Sequence, residues 1–305
     1  MSLLSGGFST SGTPVRVYFL LTAGLIMFAF APILVRVAGD TDPFVFAAIR
    51  TMSAALILLP VWMITGLSKS REYDRKDNLV ALLAGSMLGL HFIFWILAVQ
   101  NTTIASASVL VTIHPIILIL IEAGVLKRTF PGMVWSGVMI AFFGSAFLGY
   151  SDFRSETAFE HALLGDFYAF IAAILFALYF LISQQLRQKS DWINYIMRVY
   201  GATGLTCLIV ALWLGKSFPH NPVVWLAAIG LAIGPQIIGH GSMNYSVKYI
   251  SPVVLSMLVL TEPVFATILA WVLFTEVPPI LTFPAMLIIM AGITMAWTAK
   301  KGIAK

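Results

Sequence analysis

Two dipeptides concentrate the chemistry of this chain. His114-Pro115 and Glu262-Pro263 each place a titratable side chain directly before a proline inside a long apolar run. Glu262 lies about twelve residues into its run, or roughly 18 Å at 1.5 Å per residue, near the midplane of a bilayer core. A charge at that depth costs about 2.5 to 3.5 kcal/mol on insertion scales, so its retention calls for a reason. The proline that follows removes a backbone donor and loosens the helix. Glu262 and His114 therefore read as midplane coupling residues, with Pro115 and Pro263 as hinges.

Other polar residues inside apolar runs extend the candidate site. Arg50 and Arg198 lie inside runs at about 10 Å from opposite membrane surfaces, which suits gate or hinge elements at the two mouths. An arginine at that depth also reaches an interface by snorkelling. His91 and Trp95 share one helical face, with Phe92 and Phe94 beside them. Gln236, His240 and Asn244 repeat every four residues and form a polar stripe. Such a stripe must face protein or water and not lipid. Phe28, Tyr168 and Tyr179 would extend the lining of a cavity between these faces. Aromatic walls with a few hydrogen-bonding groups suit a small organic molecule, and ring faces attract cations. Hydrogen bonding between helices, with no ligand involved, accounts for the stripe equally well.

The elements that position these residues are membrane spans. Apolar residues form 60% of the 305-residue chain and charged residues only 10%, against about 25% in soluble proteins. Ten apolar runs can be drawn: 15–37, 43–66, 79–99, 103–126, 131–150, 163–186, 193–214, 223–245, 250–274 and 280–299. With the N-terminus in the cytoplasm, thirteen of the eighteen lysines and arginines fall on cytoplasmic segments and three outside. Basic asymmetry of this kind sets orientation, so the net charge of +5 is a topology signal and not a nucleic-acid patch. Both termini are expected in the cytoplasm of a bacterial-type inner (plasma) membrane. Residues 1–14 read as a flexible tail and 300–305 as a basic tail. The single Cys207 has no partner, so neither a disulfide frame nor a thiolate metal site is expected, and no cofactor or metal is implied.

The chain also lies over itself. At an offset of 148 positions, Phe28-Ala29 falls on Phe176-Ala177, Arg50 on Arg198, Pro115 on Pro263, Pro131 on Pro279 and Gly144 on Gly292. The expected organisation is thus two five-helix units, residues 15–150 and 163–299, joined through the acidic segment 151–162. Two copies of a unit with an odd number of spans must be oppositely oriented. Inverted repeats with interrupted midplane helices are a mark of alternating-access transporters. Small residues at Gly137, Gly144 and Gly149, and at Ala285 and Gly292, assign the fifth and tenth runs to close helix packing.

These features resemble the EamA family of the drug/metabolite transporter superfamily. The resemblance rests on IASASVLVTIHP and ISPVVLSMLVLTEPVFATILAWVLFTE, on HFIFW after Gly89 and on GHGSMN, and it covers nearly all of residues 15–299. It implies an all-α integral membrane fold of ten helices in two inverted repeats. It also implies a secondary transporter that moves small metabolites, often outward, through a central cavity between the halves. One departure is that Ala270 stands opposite Glu122, so carboxylates are not matched between halves.

A membrane hydrolase built on Ser242 and a histidine is the main rival, although His240 and Ser242 point apart on a helix. No ATP motif is present, so energy must come from a gradient or from exchange. The titratable groups at depth point to the proton. The expected partners are a small-molecule substrate (an amino acid, an amine or a drug-like compound), the lipid bilayer and H+. No nucleic acid is expected, and nothing in the sequence supports a homodimer.

Overall fold

In lipid every backbone N–H and C=O must be satisfied within the protein, which leaves an apolar chain with helices or a closed barrel. The structure is a computed structural model describing residues 13–65, 73–153, 161–275 and 280–299, and these are helical with no strands among them. The first half holds α1 (Val15–Ala29), α2 (Ala31–Val37), α3 (Pro43–Thr65), α4 (Arg75–Asn101), α5 (Ile104–Val111), α6 (His114–Gly124) and α7 (Gly132–Phe153). The second holds α8 (Ala162–Lys189), α9 (Trp192–Trp213), α10 (Pro222–Leu231), a π-helical stretch Ala232–His240, α11 (Gly241–Ser246), α12 (Pro252–Val259), α13 (Glu262–Phe274) and α14 (Thr282–Ala299).

Eight segments among the described residues are long and apolar enough to cross a membrane, and Gly132–Phe147 and Phe283–Ala296 are shorter apolar helices. The expected tails, Gly149's side chain, Pro279 and much of the 67–78 and 151–162 segments lie outside the described residues.

Prolines decide where the apolar runs break. Pro32 follows a bend at Phe30 between α1 and α2, whereas α8 has Phe180 at the equivalent position and continues for 28 residues. Pro235 sits in the π-helical stretch, whereas α4 has Met87 there and stays α-helical. The fourth and ninth runs break alike. Thr103 caps α5 by accepting from Ser106 N at 3.0 Å, and Ser251 caps α12 by accepting from Val254 N at 3.4 Å. α5 ends at Val111 and α6 begins at His114; α12 ends at Val259 and α13 begins at Glu262. Each of these four boundaries has its counterpart 148 positions along the chain.

The halves interleave. α4 lies against α8 and α9, α3 against α9, α7 against α14, and α1 against the π-helical stretch. The α7–α14 seam is close-packed backbone to backbone. A Cβ on Gly292 would come within 2.4 Å of Ala141 N, and one on Gly137 within 2.7 Å of the Ala296 Cβ. Small residues permit this approach where burial from water supplies no drive. Large apolar side chains such as Phe19, Ile64, Leu163, Trp213 and Leu287 are exposed on the outside. Arg50, Gln236, Asn194 and Glu262 are buried. That polarity suits a lipid solvent.

Candidate functional site

The helix breaks open onto one central cavity. Its wall takes Phe28 from α1, Arg50 from α3, His91, Phe92 and Trp95 from α4, and Thr112 and His114 from the α5–α6 break. Ala31 of α2, Val111 of α5, Phe176 of α8, Pro235 and His240 of the π-helical stretch, and Val259 and Glu262 of the α12–α13 break complete it. The space is narrow, with a volume of about 40 Å³, room for roughly three waters.

Aromatic and imidazole rings form its framework. The Phe176 ring is 4.4 Å from His114, 5.2 Å from His91 and 5.6 Å from His240, centroid to centroid. His240 also meets Phe28 edge-on at 4.9 Å and Phe92 at 5.1 Å. Two of the three histidines are oriented by backbone carbonyls. His91 Nδ1 lies 2.8 Å from Ala172 O, and His114 Nδ1 lies 2.9 Å from Val111 O. A carbonyl only accepts, so each Nδ1 carries the proton and Nε2 of the neutral ring is left as an acceptor.

Arg50 and Glu262 share the cavity without a direct ion pair between them. The Arg50 guanidinium lies 3.7 Å from the Phe92 ring centroid and 5.6 Å from that of Trp95, a cation–π seat. Arg50 Nε donates to Gln236 Oε1 at 3.2 Å. Arg50 Nη1 and Gln236 Nε2 are buried donors with no protein partner. Glu262 is buried against the same cavity, and its carboxyl makes no ion pair with Arg50. Among the described residues no group of three or more His, Cys, Asp or Glu side chains is placed to hold a metal ion.

Several expected site residues stand elsewhere. Phe94 and Tyr168 pair at 5.8 Å in a separate apolar cluster beside α4. Asn244 and Tyr179 belong to a buried polar knot linking α8, α9 and α11. There Asn244 Nδ2 donates to the Tyr179 hydroxyl, and the Tyr195 hydroxyl meets both Ser183 Oγ and Asn244 Oδ1. Arg187 Nε joins the knot by donating to Asn244 O at 2.8 Å. Arg187 reads as a loop charge in the sequence but is buried in the last turn of α8. Gln236 is reached through Arg50.

Arg198 lies on Tyr73 at 3.8 Å and donates to Asn78 Oδ1 at 3.0 Å, away from the cavity. Burial raises the Tyr73 hydroxyl's pKa above its ordinary value. Pro115 borders a small space beside Ser145, and Pro263 is buried in the first turn of α13. Ser242 Oγ donates to Gly239 O at 2.8 Å, beside Gly24 of α1.

Phe92 and Phe176 are cavity residues that the sequence reading does not single out. Phe92 is three residues before Trp95 and so shares its face, and Phe176 is the repeat counterpart of Phe28.

A chain of membrane-length apolar helices with a polar and aromatic cavity at its helix breaks has the build of a membrane transporter. The chain belongs to the EamA-like transporter family, which matches it twice, over residues 15–150 and 163–298. It is 23% identical over 281 residues to the uncharacterized transporter YdfC of Bacillus subtilis, covering 91% of this chain and 89% of that protein. It is 22% identical to an uncharacterized transporter of Archaeoglobus fulgidus, covering 94% and 98%. A solved crystal structure at 18% identity shares the fold with a TM-score of 0.75, spanning 95% of this chain and 99% of its own.

Proposed function

We infer that this protein is a secondary transporter that moves a small organic metabolite across the inner membrane by alternating access, with export the favoured direction. Ten membrane crossings form two oppositely oriented five-helix units, residues 15–150 and 163–299, with both termini in the cytoplasm. The observation that carries this reading is the cavity at the matched α5–α6 and α12–α13 breaks. It is lined from both halves by Arg50, Glu262, His91, His114 and His240. Interrupted helices at matched places in two repeats put substrate and coupling sites at the repeat interface.

Glu262 and the histidines offer proton-binding groups beside the substrate space, so coupling to H+ or exchange follows from the same geometry. Pro115 and Pro263 act as hinges where the two broken helices must bend.

The test is accessibility from both faces. Val111 and Val259 line the cavity on the two broken helices. Each is replaced by Cys in a Cys207→Ser background, and membrane-impermeant maleimide is applied to one face of oriented vesicles at a time. A carrier labels both positions from either face, and labelling confined to one face overturns alternating access. Uptake under an imposed pH gradient then tests coupling: wild-type protein accelerates and Glu262→Gln does not. Equal wild-type rates with and without the gradient would remove the proton from the scheme.

A further inference from the structure

The two prolines at the helix breaks each free a backbone carbonyl, and the two halves answer it differently. A proline has no N–H, so the carbonyl four residues before it loses its helical donor. For Pro115 that carbonyl is Val111 O, and for Pro263 it is Val259 O, its counterpart at the offset of 148. Both valines line the central cavity. The backbone runs alike through the two breaks. Ile113 and Thr261 share a φ of −73°, and Ile113 N donates to Leu110 O as Thr261 N does to Leu258 O.

In the first break a side chain takes the freed carbonyl. His114 Nδ1 donates to Val111 O at 2.9 Å, a bond the ring keeps whether it carries one proton or two. The residue in that place in the second break is Glu262. A carboxylate has no proton to donate, whereas a protonated carboxyl has one O–H donor. Glu262 can therefore answer Val259 O only while it holds a proton. An ionised Glu262 has a different partner in the cavity, since Arg50 Nη1 is a buried donor without a protein partner.

Resting on the transporter reading above, we propose that Glu262 is a proton-operated cap of the α12–α13 break. Protonated, it donates to Val259 O and stiffens the join, as His114 does in the first half. Deprotonated, it releases the carbonyl and turns to Arg50, and the join loosens. The α5–α6 break is thus fixed and the α12–α13 break switched, so the proton acts on one half of the molecule. The groups facing Glu262 are Arg50 of α3, His91 of α4, His114 of α6 and His240 of the π-helical stretch. The other charges on helices packed against α12 and α13 are Arg16, Arg36, Glu122, Asp166, Arg187 and Lys189, and these stand outside the cavity wall.

The test is amide hydrogen exchange of the full-length protein in lipid nanodiscs over a pH series, read by mass spectrometry over 258–265 and 110–117. Rates are corrected for the intrinsic pH dependence of exchange. In the wild type the corrected rate over 258–265 should rise about tenfold from acid to alkaline pH, the factor one buried hydrogen bond carries, while 110–117 stays level. Glu262→Gln keeps a donor at every pH and Glu262→His rebuilds the cap of the first half, so both should stay slow throughout. Glu262→Met has no donor and should stay fast throughout. His114→Leu should speed 110–117 alone, and at every pH. Unfolding midpoints show whether each variant is folded.

A wild-type rate independent of pH, or a Glu262→Met protein as protected as Glu262→Gln, overturns the cap. The cysteine labelling at Val111 and Val259 does not depend on the proton. Two-faced labelling with pH-independent exchange would therefore sink the switch and leave the carrier standing, whereas one-faced labelling would sink the carrier itself.

Discussion

At the scale of single residues, the buried polar groups fall into two sets with different work. Arg50, Glu262, His91, His114 and His240 face an opening, where Arg50 Nη1 and His114 Nε2 are buried without a protein partner. Arg187, Asn244, Tyr179, Tyr195 and Ser183 meet one another and knit α8, α9 and α11 together. The second set should behave as structure. Arg187 donates to Asn244 O at 2.8 Å and to Ser190 O at 2.7 Å. Arg187→Ala strands both carbonyls in a buried place, which should cost about 1 to 3 kcal/mol. A lowered unfolding midpoint in detergent, with any ligand-induced shift intact in the protein that remains folded, is the expected result. An unchanged midpoint would show that the knot contributes nothing.

The sequence made the first set partly legible. Glu262 and His114 announce themselves by their depth and by the proline that follows each. Phe92 was obscured because neighbouring phenylalanines flank a histidine, and only the three-residue spacing to Trp95 separates Phe92 from Phe94. Depth alone makes Arg50 a mouth residue. Depth carries no information about the Phe92 ring that receives its guanidinium.

At the scale of elements, a proline marks where an apolar run is disturbed but not how. Pro115 and Pro263 each open a new helix, whereas Pro235 is absorbed into a π-helical stretch. The difference lies in the surroundings, since Tyr200 donates its hydroxyl to Gln236 O at 2.6 Å and so answers a backbone carbonyl of the widened turn. That contact comes from α9 and cannot be read locally. The widened turn also explains why Gln236, His240 and Asn244 do not share one environment, although their four-residue spacing suits a regular helix.

The α7–α14 seam was readable, because glycines at matched places imply close packing. Gly292→Val would drive a branched side chain into Ala141 N, which a Cβ alone would approach to 2.4 Å. Overpacking of this kind costs about 1 to 3 kcal/mol or more. The expected outcome is a clear drop in unfolding midpoint, and a midpoint equal to the wild type would show that the two helices separate at little cost.

At the scale of the whole molecule, the duplication organises everything else. Caps at Thr103 and Ser251 and breaks before His114 and Glu262 recur in one register, so the two halves build the same interrupted helix and present it to the same cavity. Their differences matter as much. One half offers an imidazole where the other offers a carboxyl, and Arg50 enters the cavity while Arg198 lies on Tyr73 outside it.

The most direct measurement of this account is the direction in which each half enters the membrane. Val15 and Leu163 begin α1 and close to the start of α8, and both are exposed. Each is replaced by Cys in a Cys207→Ser background and treated with impermeant maleimide on intact cells. The account predicts that Leu163→Cys reacts from outside at once and Val15→Cys only after the membrane is opened. Reaction of both from the same face would contradict opposed halves and with them the carrier built on them.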